Sequence, residues 1–143
     1  MIRECLAFGN NVCGNLDPTN QSPILKQPAN VTEAIKCDEI IWHGWSCTFG
    51  RGERFDVSGL NIPDNQSGGF WAWGVDPLIS DPGRINEIHF LKPVKRVLGF
   101  DRPLGCLAED GQVHSFEGAI SSERWDDVAL TGLGGAYAFR SEL

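Results

Sequence analysis

The stretch Cys106-Leu-Ala-Glu-Asp-Gly-Gln-Val-His-Ser-Phe116 decides the fold class of this chain. Its centre, Asp110-Gly111, is a dipeptide typical of a tight hairpin turn, because glycine readily adopts the positive φ that such turns require. An apolar segment of strand length lies on each side of the turn. The stretch therefore predicts two antiparallel strands joined by a short connection.

Similar segments recur along the rest of the chain, separated by turn residues. The 143 residues include 17 glycines and 8 prolines, which interrupt helices. The predicted strands are Cys5–Phe8, Glu39–Trp42, Ser46–Phe49, Phe70–Trp73, Arg96–Phe100, Gly105–Ala108, Gln112–Phe116, Val128–Thr131 and Ala136–Phe139. Only residues 30–36 resemble a helix, with Asn30 or Thr32 as the N-terminal cap. We therefore expect an all-β fold.

A weak internal repeat of about sixty residues runs through the sequence. Residues 45–59 align with residues 104–118, which sets Cys47 on Cys106 and predicts a second turn at Arg51-Gly52. Two further alignments set Ala7-Phe8-Gly9 on Ala72-Trp73-Gly74, and Gly111–Phe116 on Gly135–Phe139. We expect a single domain over residues 1–143, with approximate repeat units 1–64, 69–118 and 119–143.

The segment Phe8-Gly9-Asn10-Asn11-Val12-Cys13-Gly14-Asn15-Leu16 resembles the aromatic-Gly-x-Asn-x-x-Gly-x-Leu motif of the regulator of chromosome condensation repeat family. The hairpin of residues 106–116 is similar to the end of a blade in that family, and residues 125–139 resemble a shortened copy. The pattern departs from the family at Asp17, where a glycine is usual. The resemblance implies a partial β-propeller with two to three blades of antiparallel strands.

The resemblance also implies a function by protein contact rather than catalysis. An arc of two to three blades exposes sheet edges and apolar faces, so it belongs to a longer protein, closes with further copies of itself, or is covered by a partner. We expect a non-catalytic protein–protein interaction module, with regulation of a GTPase or another intracellular partner as the implied role. The alternative is a Trp-rich β protein that binds a ligand or forms homo-oligomers.

Charge and hydropathy set limits on partners and location. The formal net charge of −7 disfavours binding to nucleic acid, because an acidic surface repels phosphate. The densest basic cluster, Lys92, Lys95 and Arg96, is too small for a groove that tracks a nucleic-acid backbone. The sequence has no apolar run that predicts a signal peptide or a membrane span, so we expect a cytoplasmic or nuclear protein without membrane contact.

Catalytic and metal-binding patterns are missing from the sequence. The five cysteines form no CxxC pair, and the three histidines do not have the spacing of metal ligands. No nucleophile elbow, phosphate-binding loop or zinc-protease motif occurs. The shared repeat position of Cys47 and Cys106 indicates packing of small side chains. We therefore expect no catalytic residue, no metal and no cofactor.

Three aromatic residues and two charged residues are candidates for partner binding. Trp42, His43 and Trp45 form an aromatic string that is typical of contact surfaces, although both tryptophans suit a core as well. The repeat frame favours a core position for Trp45. Asp101 and Arg102 interrupt two predicted strands and lie in a predicted loop, where contact residues are common.

One further aromatic string, Phe70-Trp71-Ala72-Trp73, alternates like a strand. The period of two places Trp71 and Trp73 on the same face, and Phe70 on the other. The repeat frame predicts a core position for Trp73.

Overall fold

The computed structural model describes residues 4–35, 37–52, 69–132 and 134–141. Its contacts divide the chain into two compact units, Met1–His89 and Phe90–Leu143. The predicted all-β fold is confirmed, since the described residues contain twelve strands and one helix of only four residues. The predicted single domain and repeat units stay predictions; the boundary after His89 falls within the predicted unit 69–118.

The first unit contains six strands and one short helix. In chain order they are β1 (Leu6–Asn10), β2 (Ile24–Asn30), α1 (Thr32–Ile35), β3 (Glu39–His43), β4 (Cys47–Gly52), β5 (Gly69–Gly74) and β6 (Asn86–Ile88). β1 and β2 form an antiparallel pair, and β3 to β6 form a four-stranded antiparallel sheet in chain order.

The second unit also combines a four-stranded sheet with a two-stranded one. Its strands are β7 (Val94–Gly99), β8 (Pro103–Ala108), β9 (Gln112–Ser115), β10 (Ile120–Arg124), β11 (Asp127–Leu130) and β12 (Ala136–Phe139). β7 to β10 are antiparallel neighbours in chain order, and β11 pairs with β12. Each unit therefore contains one complete up-and-down meander.

All nine predicted strands are present, with small changes at their ends. The three strands that the sequence did not predict are β2, β6 and β10, each at the edge of its sheet. Edge strands expose most of their side chains, so they need no apolar alternation. β2 even contains Pro28, which an edge strand tolerates when the lost N–H would face solvent.

The predicted helix is confirmed in a shortened form, Thr32–Ile35. Of the two predicted caps, Asn30 bonds to the start of the helix: its Oδ1 accepts a hydrogen bond of 3.0 Å from the backbone N–H of Thr32. Thr32 is the first residue of the helix, and its Oγ1 accepts a hydrogen bond of 2.9 Å from the backbone N–H of Cys5, which lies outside the helix. Within the described part of the chain, no helix is long and apolar enough to cross a membrane.

The Asp110-Gly111 hairpin turn is confirmed between β8 and β9. Gly111 has a φ of 90°, and its N–H donates to the carbonyl of Ala108 at 2.9 Å. The predicted turn at Arg51-Gly52 is wrong, because both residues belong to β4 and Gly52 pairs with Gly69 of β5. The connection between these strands runs through residues 53–68, which lie outside the described residues.

Each unit has a small apolar core of its own. In the first unit, Val31, Ile35 and Trp73 are buried, and Trp71 packs against them. This confirms two predictions: Trp71 and Trp73 lie on the same face of the strand, and Trp73 is a core residue. In the second unit Leu98, Leu107 and Val128 form a buried cluster, with the partly buried Val113, Trp125 and Leu130 packed around them.

The glycines that end the aligned segments 7–9 and 72–74 share a backbone conformation. Gly9 and Gly74 have φ values of 114° and 105°, both in the region that favours glycine. The side chains before them differ: Phe8 is 68% exposed, whereas Trp73 is 1% exposed. The aligned positions thus share a backbone conformation but not an environment.

Candidate functional site

The side chain of Asn11 organises the loop that follows β1. It is buried, and its Oδ1 accepts hydrogen bonds of 3.0 Å from the backbone N–H groups of Leu16 and Asp17. Its Nδ2 donates to the carbonyls of Asp17, Asn20 and Ser22 at 3.0–3.2 Å. One amide therefore satisfies backbone groups along the whole loop and fixes the position of Asn15 within it.

The backbone carbonyl of Asn15 joins this loop to the four-stranded sheet. It accepts a hydrogen bond of 2.7 Å from Thr48 Oγ1 on β4 and one of 2.9 Å from Trp73 Nε1 on β5. All three residues are buried. Because both donors are themselves inaccessible to water, these bonds satisfy polar groups that would otherwise be costly to bury.

A cleft of about 430 Å³ lies beside this junction, and we call it the Asn15 cleft. Its walls come from β1, the Asn11 loop, the helix region, β3, β4 and β5. Its lining residues are Cys5, Leu6, Ala7, Phe8, Asn15, Leu16, Val31, Ile35, Ile40, His43, Gly44, Thr48 and Trp73. None of these described lining residues is an aspartate, glutamate, lysine or arginine, so the cleft is mostly apolar.

Three large apolar side chains of the lining remain open to solvent. Leu6 and Phe8 are more than half exposed, and Ile40 is 40% exposed. Single exposed apolar residues are common, but a group that borders one concave site is typical of binding surfaces. The structure therefore identifies the Asn15 cleft as the main candidate site of the first unit.

Asn15, which lines the cleft, carries a buried side-chain acceptor. Asn15 is only 6% exposed, and its Oδ1 has no hydrogen-bond partner among the described residues. A buried acceptor without a donor costs about 1–3 kcal/mol. The sequence did not identify Asn15, because it occupies a variable position in the motif and its burial depends on the loop that Asn11 organises.

The predicted aromatic contact residues lie together around the β3–β4 turn. The turn is closed by a 2.9 Å hydrogen bond from Gly44 N–H to the Cys47 carbonyl. Trp42 is partly buried and meets Phe49 edge to face, with ring centroids 6.0 Å apart, while His43 is exposed at the Asn15 cleft. The core position favoured for Trp45 is wrong: it lies in the turn and is 68% exposed.

The predicted charged contact residues belong to the second unit. Asp101 and Arg102 are exposed in the connection from β7 to β8, directly before the buried Pro103. Phe100, the residue before them, is also more than half exposed. The role of all five residues, Trp42, His43, Trp45, Asp101 and Arg102, in partner binding stays a prediction.

Each residue of the basic cluster Lys92, Lys95 and Arg96 contacts a carboxylate or a backbone carbonyl. Lys92 Nζ lies 2.8 Å from Asp110 Oδ2, and Arg96 Nε lies 3.5 Å from Asp127 Oδ1. Lys95 donates to the backbone carbonyl of Asp126. Since each cation has such a contact, the three residues do not form an unpaired basic patch.

Asp110 is the most strongly perturbed carboxylate of this surface. Its Oδ2 accepts from Lys92 and lies 3.4 Å from Arg124 Nη1, and its Oδ1 accepts a 3.0 Å bond from the backbone N–H of Gln112. The bonds from Lys92 and Gln112 are the main reasons that the pKa of Asp110 falls to about 2. The Asp110 carboxylate therefore connects the hairpin turn to Lys92 before β7, to Gln112 at the start of β9 and to Arg124 at the end of β10.

The predicted packing role of Cys47 and Cys106 agrees with their positions. Both are buried, and each lies in the second strand of a four-stranded sheet. Burial raises the pKa of Cys106 to about 11, so its thiol stays protonated near neutral pH and is a poor nucleophile. Among the described residues, no group of three or more His, Cys, Asp or Glu side chains is placed to hold a metal ion.

The β11–β12 hairpin carries an exposed strand. All four residues of β12 are exposed, including Tyr137 and Phe139, although β11 buries Val128 in the core of the second unit. The Thr131 N–H donates to the Gly135 carbonyl at 2.9 Å, which marks residues 131 and 135 as a hydrogen-bonded pair. In the alternating antiparallel ladder, Ala136 and Ala138 therefore direct their N–H and C=O groups away from β11.

No protein-family model matches the chain, and no curated protein or solved structure is significantly similar to it.

Proposed function

We propose that this chain is a non-catalytic protein-interaction module built from β-propeller blades of the regulator of chromosome condensation type, and that β12 is its assembly edge. The partner that fits this edge best is a second copy of the chain. The observation that carries the proposal is the exposure of all four residues of β12 on an edge without a partner among the described strands.

Two features support the propeller part of the proposal. Each unit contains a four-stranded antiparallel meander in chain order, which is the architecture of a propeller blade. In addition, Asn11, the asparagine of the family motif, holds the loop after β1 through five hydrogen bonds. This gives a physical reason for an asparagine at that position of the motif.

The edge of β12 lacks the features that protect edge strands. Natural edges are commonly blocked by lysine, proline, a bulge or a covering element. β12 reads Ala-Tyr-Ala-Phe, its register with β11 is regular, and its first charged neighbour is Arg140. The residues with outward backbone groups, Ala136 and Ala138, have the smallest side chains available and do not hinder an approaching strand.

β12 is complementary to itself in antiparallel orientation. When Tyr137 faces Tyr137 of a second copy, Ala136 of each copy faces Ala138 of the other, and these residues exchange N–H and C=O bonds. Phe139 then faces Gly135, which leaves room for its ring beside the opposite Tyr137. Two hairpins would thus form a four-stranded sheet, the size of the other two sheets. A two-stranded hairpin alone is only marginally stable.

Site-directed disulfide formation tests this arrangement. The two Tyr137 positions form a non-hydrogen-bonded pair, with Cα atoms about 4.5 Å apart, which is within the range for a disulfide. Under mild oxidation, Tyr137→Cys should give a covalent dimer that the native cysteines of the parent protein do not give.

The matched control for this test is Ala129→Cys. Ala129 is exposed and lies opposite Tyr137 within the same hairpin, but on the strand away from the proposed interface. It should remain monomeric on a denaturing gel. Equal dimer yields from the two variants would contradict the proposed pairing, since random collisions would then explain both.

A further inference from the structure

We propose that the Asn15 cleft binds a small uncharged molecule that has an apolar body and one hydroxyl group, and that the hydroxyl group forms a hydrogen bond with the imidazole of His43. This site belongs to the first unit and is independent of the proposed assembly through β12, which belongs to the second.

His43 carries the strongly polar side chain of the lining that a bound molecule can reach. It is exposed at the end of β3, and its imidazole makes no hydrogen bond or ion pair with another described residue. Asn15 and Thr48 are buried, and the polar groups of Thr48 and Trp73 already donate to the Asn15 carbonyl. A polar group on a bound molecule therefore meets the imidazole.

The strand register places the imidazole on the side of the sheet that carries the cleft. His43 lies opposite Thr48, which in turn lies opposite Trp73. Residues directly opposite one another in antiparallel strands project their side chains from the same face. The side chains of Thr48 and Trp73 both bond to the Asn15 carbonyl, so this face is the one that packs against the Asn11 loop. The ring of His43 thus lies on the cleft side of β3.

A hydroxyl group suits the imidazole in either of its neutral tautomers. A neutral imidazole has one N–H donor and one acceptor nitrogen, while a hydroxyl group can both donate and accept. The hydrogen bond forms whichever ring nitrogen carries the proton. A methyl group of similar size offers neither function, so the imidazole discriminates between the two.

The lining of the cleft selects against charge. It contains no aspartate, glutamate, lysine or arginine among its described residues, and burial raises the pKa of the Cys5 thiol, which keeps that group neutral. A charged molecule would lose hydration in an apolar site without a cluster of opposite charges to compensate it. The net charge of −7 disfavours anions further.

The apolar body finds its contacts on the side chains that border the cleft. Leu6, Phe8 and Ile40 all line it and are exposed to solvent. The volume of about 430 Å³ falls in the range of small-molecule pockets. A bound molecule would cover apolar surface that is now in contact with water, and this provides the main favourable contribution to binding.

4-Phenylphenol is a suitable probe, because it is uncharged at neutral pH, mostly apolar and carries one hydroxyl group. Two analogues isolate the two claims: 4-methylbiphenyl replaces the hydroxyl group with a methyl group, and biphenyl-4-carboxylate adds a negative charge. Binding is followed by the ¹⁵N–¹H signal of the Trp73 indole, assigned with Trp73→Phe. The Trp125 indole of the second unit serves as an internal reference.

The parent protein should bind 4-phenylphenol saturably, with the Trp73 signal moving and the Trp125 signal unchanged. Biphenyl-4-carboxylate should bind at least about tenfold more weakly, since its charge is not compensated by the lining. 4-Methylbiphenyl should also bind, because it shares the apolar body, and it provides the reference for the hydroxyl group.

Two substitutions of His43 test the hydrogen bond. His43→Leu should weaken 4-phenylphenol about fivefold, because the hydroxyl group loses its partner, and should not weaken 4-methylbiphenyl. His43→Gln restores a donor and an acceptor, so it should bind 4-phenylphenol within about twofold of the parent protein. A merely structural role of His43 would weaken both probes alike.

A second pair of substitutions tests the location of the apolar body. Phe8→Ser should weaken both uncharged probes about tenfold through loss of apolar contact. Val12→Ser is the control and should leave both affinities unchanged, since Val12 is 67% exposed, like Phe8, but does not line the cleft.

The proposal is overturned if 4-phenylphenol does not move the Trp73 signal up to its solubility limit, or if the carboxylate binds as tightly. It is also overturned if His43→Leu affects 4-phenylphenol and 4-methylbiphenyl equally, or if Phe8→Ser and Val12→Ser have the same effect. These outcomes leave the β12 assembly untouched, because dimer formation through Tyr137→Cys is measured without any ligand.

Discussion

The indole Nε1 of Trp73 donates a 2.9 Å hydrogen bond to the backbone carbonyl of Asn15, which lies 58 residues earlier in the chain. This bond joins the central strand β5 to the loop organised by Asn11, and it sets the floor of the Asn15 cleft. Because Trp73 is also a core residue of the first unit, the stability of that unit and the shape of the cleft depend on the same side chain.

Replacing Trp73 with Phe should lower the free energy of unfolding by about 2–3 kcal/mol, because the substitution removes the hydrogen bond and leaves a small cavity. Urea denaturation measures this loss. Trp45→Phe is the control and should change stability by less than about 0.5 kcal/mol, since Trp45 lies exposed in a turn. Similar losses for both variants would contradict the assignment of Trp73 to the core.

Asn11→Ala should destabilise the protein by about 2–4 kcal/mol, because several backbone groups of the loop lose their partner together. Thermal unfolding measures the effect. Asn10→Ala is a matched control: Asn10 is exposed, and its Oδ1 accepts a hydrogen bond of 2.9 Å from the backbone N–H of Val12. It should cost about 0.5–1 kcal/mol. Equal melting temperatures for the two variants would show that Asn11 does not organise the loop.

Gly9 and Gly74 allow backbone strain to be separated from steric contact, because both have a positive φ. A Cβ atom at Gly9 meets nothing within 4 Å, whereas one at Gly74 would lie 2.2 Å from the Ser46 carbonyl oxygen. Gly9→Ala should therefore cost about 1–2 kcal/mol from strain alone. Gly74→Ala should cost about 4 kcal/mol or more, since the backbone itself must shift. A Gly74→Ala variant as stable as Gly9→Ala would rule out this close approach.

Asp110 should give the protein a defined dependence of stability on acid. The folded protein lowers the pKa of this carboxyl from 3.8 to about 2, so the ionised form is favoured by folding. Its contribution is complete above about pH 4 and is lost as the pH falls towards 2. Asp110→Asn should reduce the decline in urea stability across this interval.

The control for this prediction is Asp101→Asn, which removes an exposed carboxylate of the same unit and leaves Asp110 in place. The Asp101→Asn variant should show the same dependence of stability on pH as the parent protein. If Asp110→Asn declines as steeply as the parent between pH 4 and pH 2, the contacts of Asp110 with Lys92 and Gln112 do not stabilise the folded state.

Sequence patterns identified strands through their local apolar and turn residues, including β12, although all four of its residues are exposed. β9 and β5 were predictable because apolar residues and turn residues define them locally. β6 and β10 were not, because their sequences, Asn-Glu-Ile and Ile-Ser-Ser-Glu-Arg, are mostly polar and have no apolar alternation. Sequence patterns also did not distinguish the exposed Trp45 from the buried Trp73, because both occur in aromatic strings. Trp45 is exposed because it lies in the turn between β3 and β4, whereas Trp73 lies within β5.

The Asn15 cleft could not be predicted, because it arises from contacts between segments far apart in the chain. The motif around Phe8 and Asn11 was visible in the sequence, but the burial of Asn15 depends on donors from Thr48 and Trp73. His43 was the only predicted contact residue that lines this cleft.

The solution mass of the purified chain, measured by size exclusion with light scattering, tests the central claim that β12 is an assembly edge. One copy has a mass of 15.7 kDa. We predict a dimer for the parent protein and for Ala138→Ser, and a folded monomer for Ala138→Pro, which loses only an outward N–H. A monomeric parent protein, or an Ala138→Pro variant that is folded and still dimeric, would contradict the account.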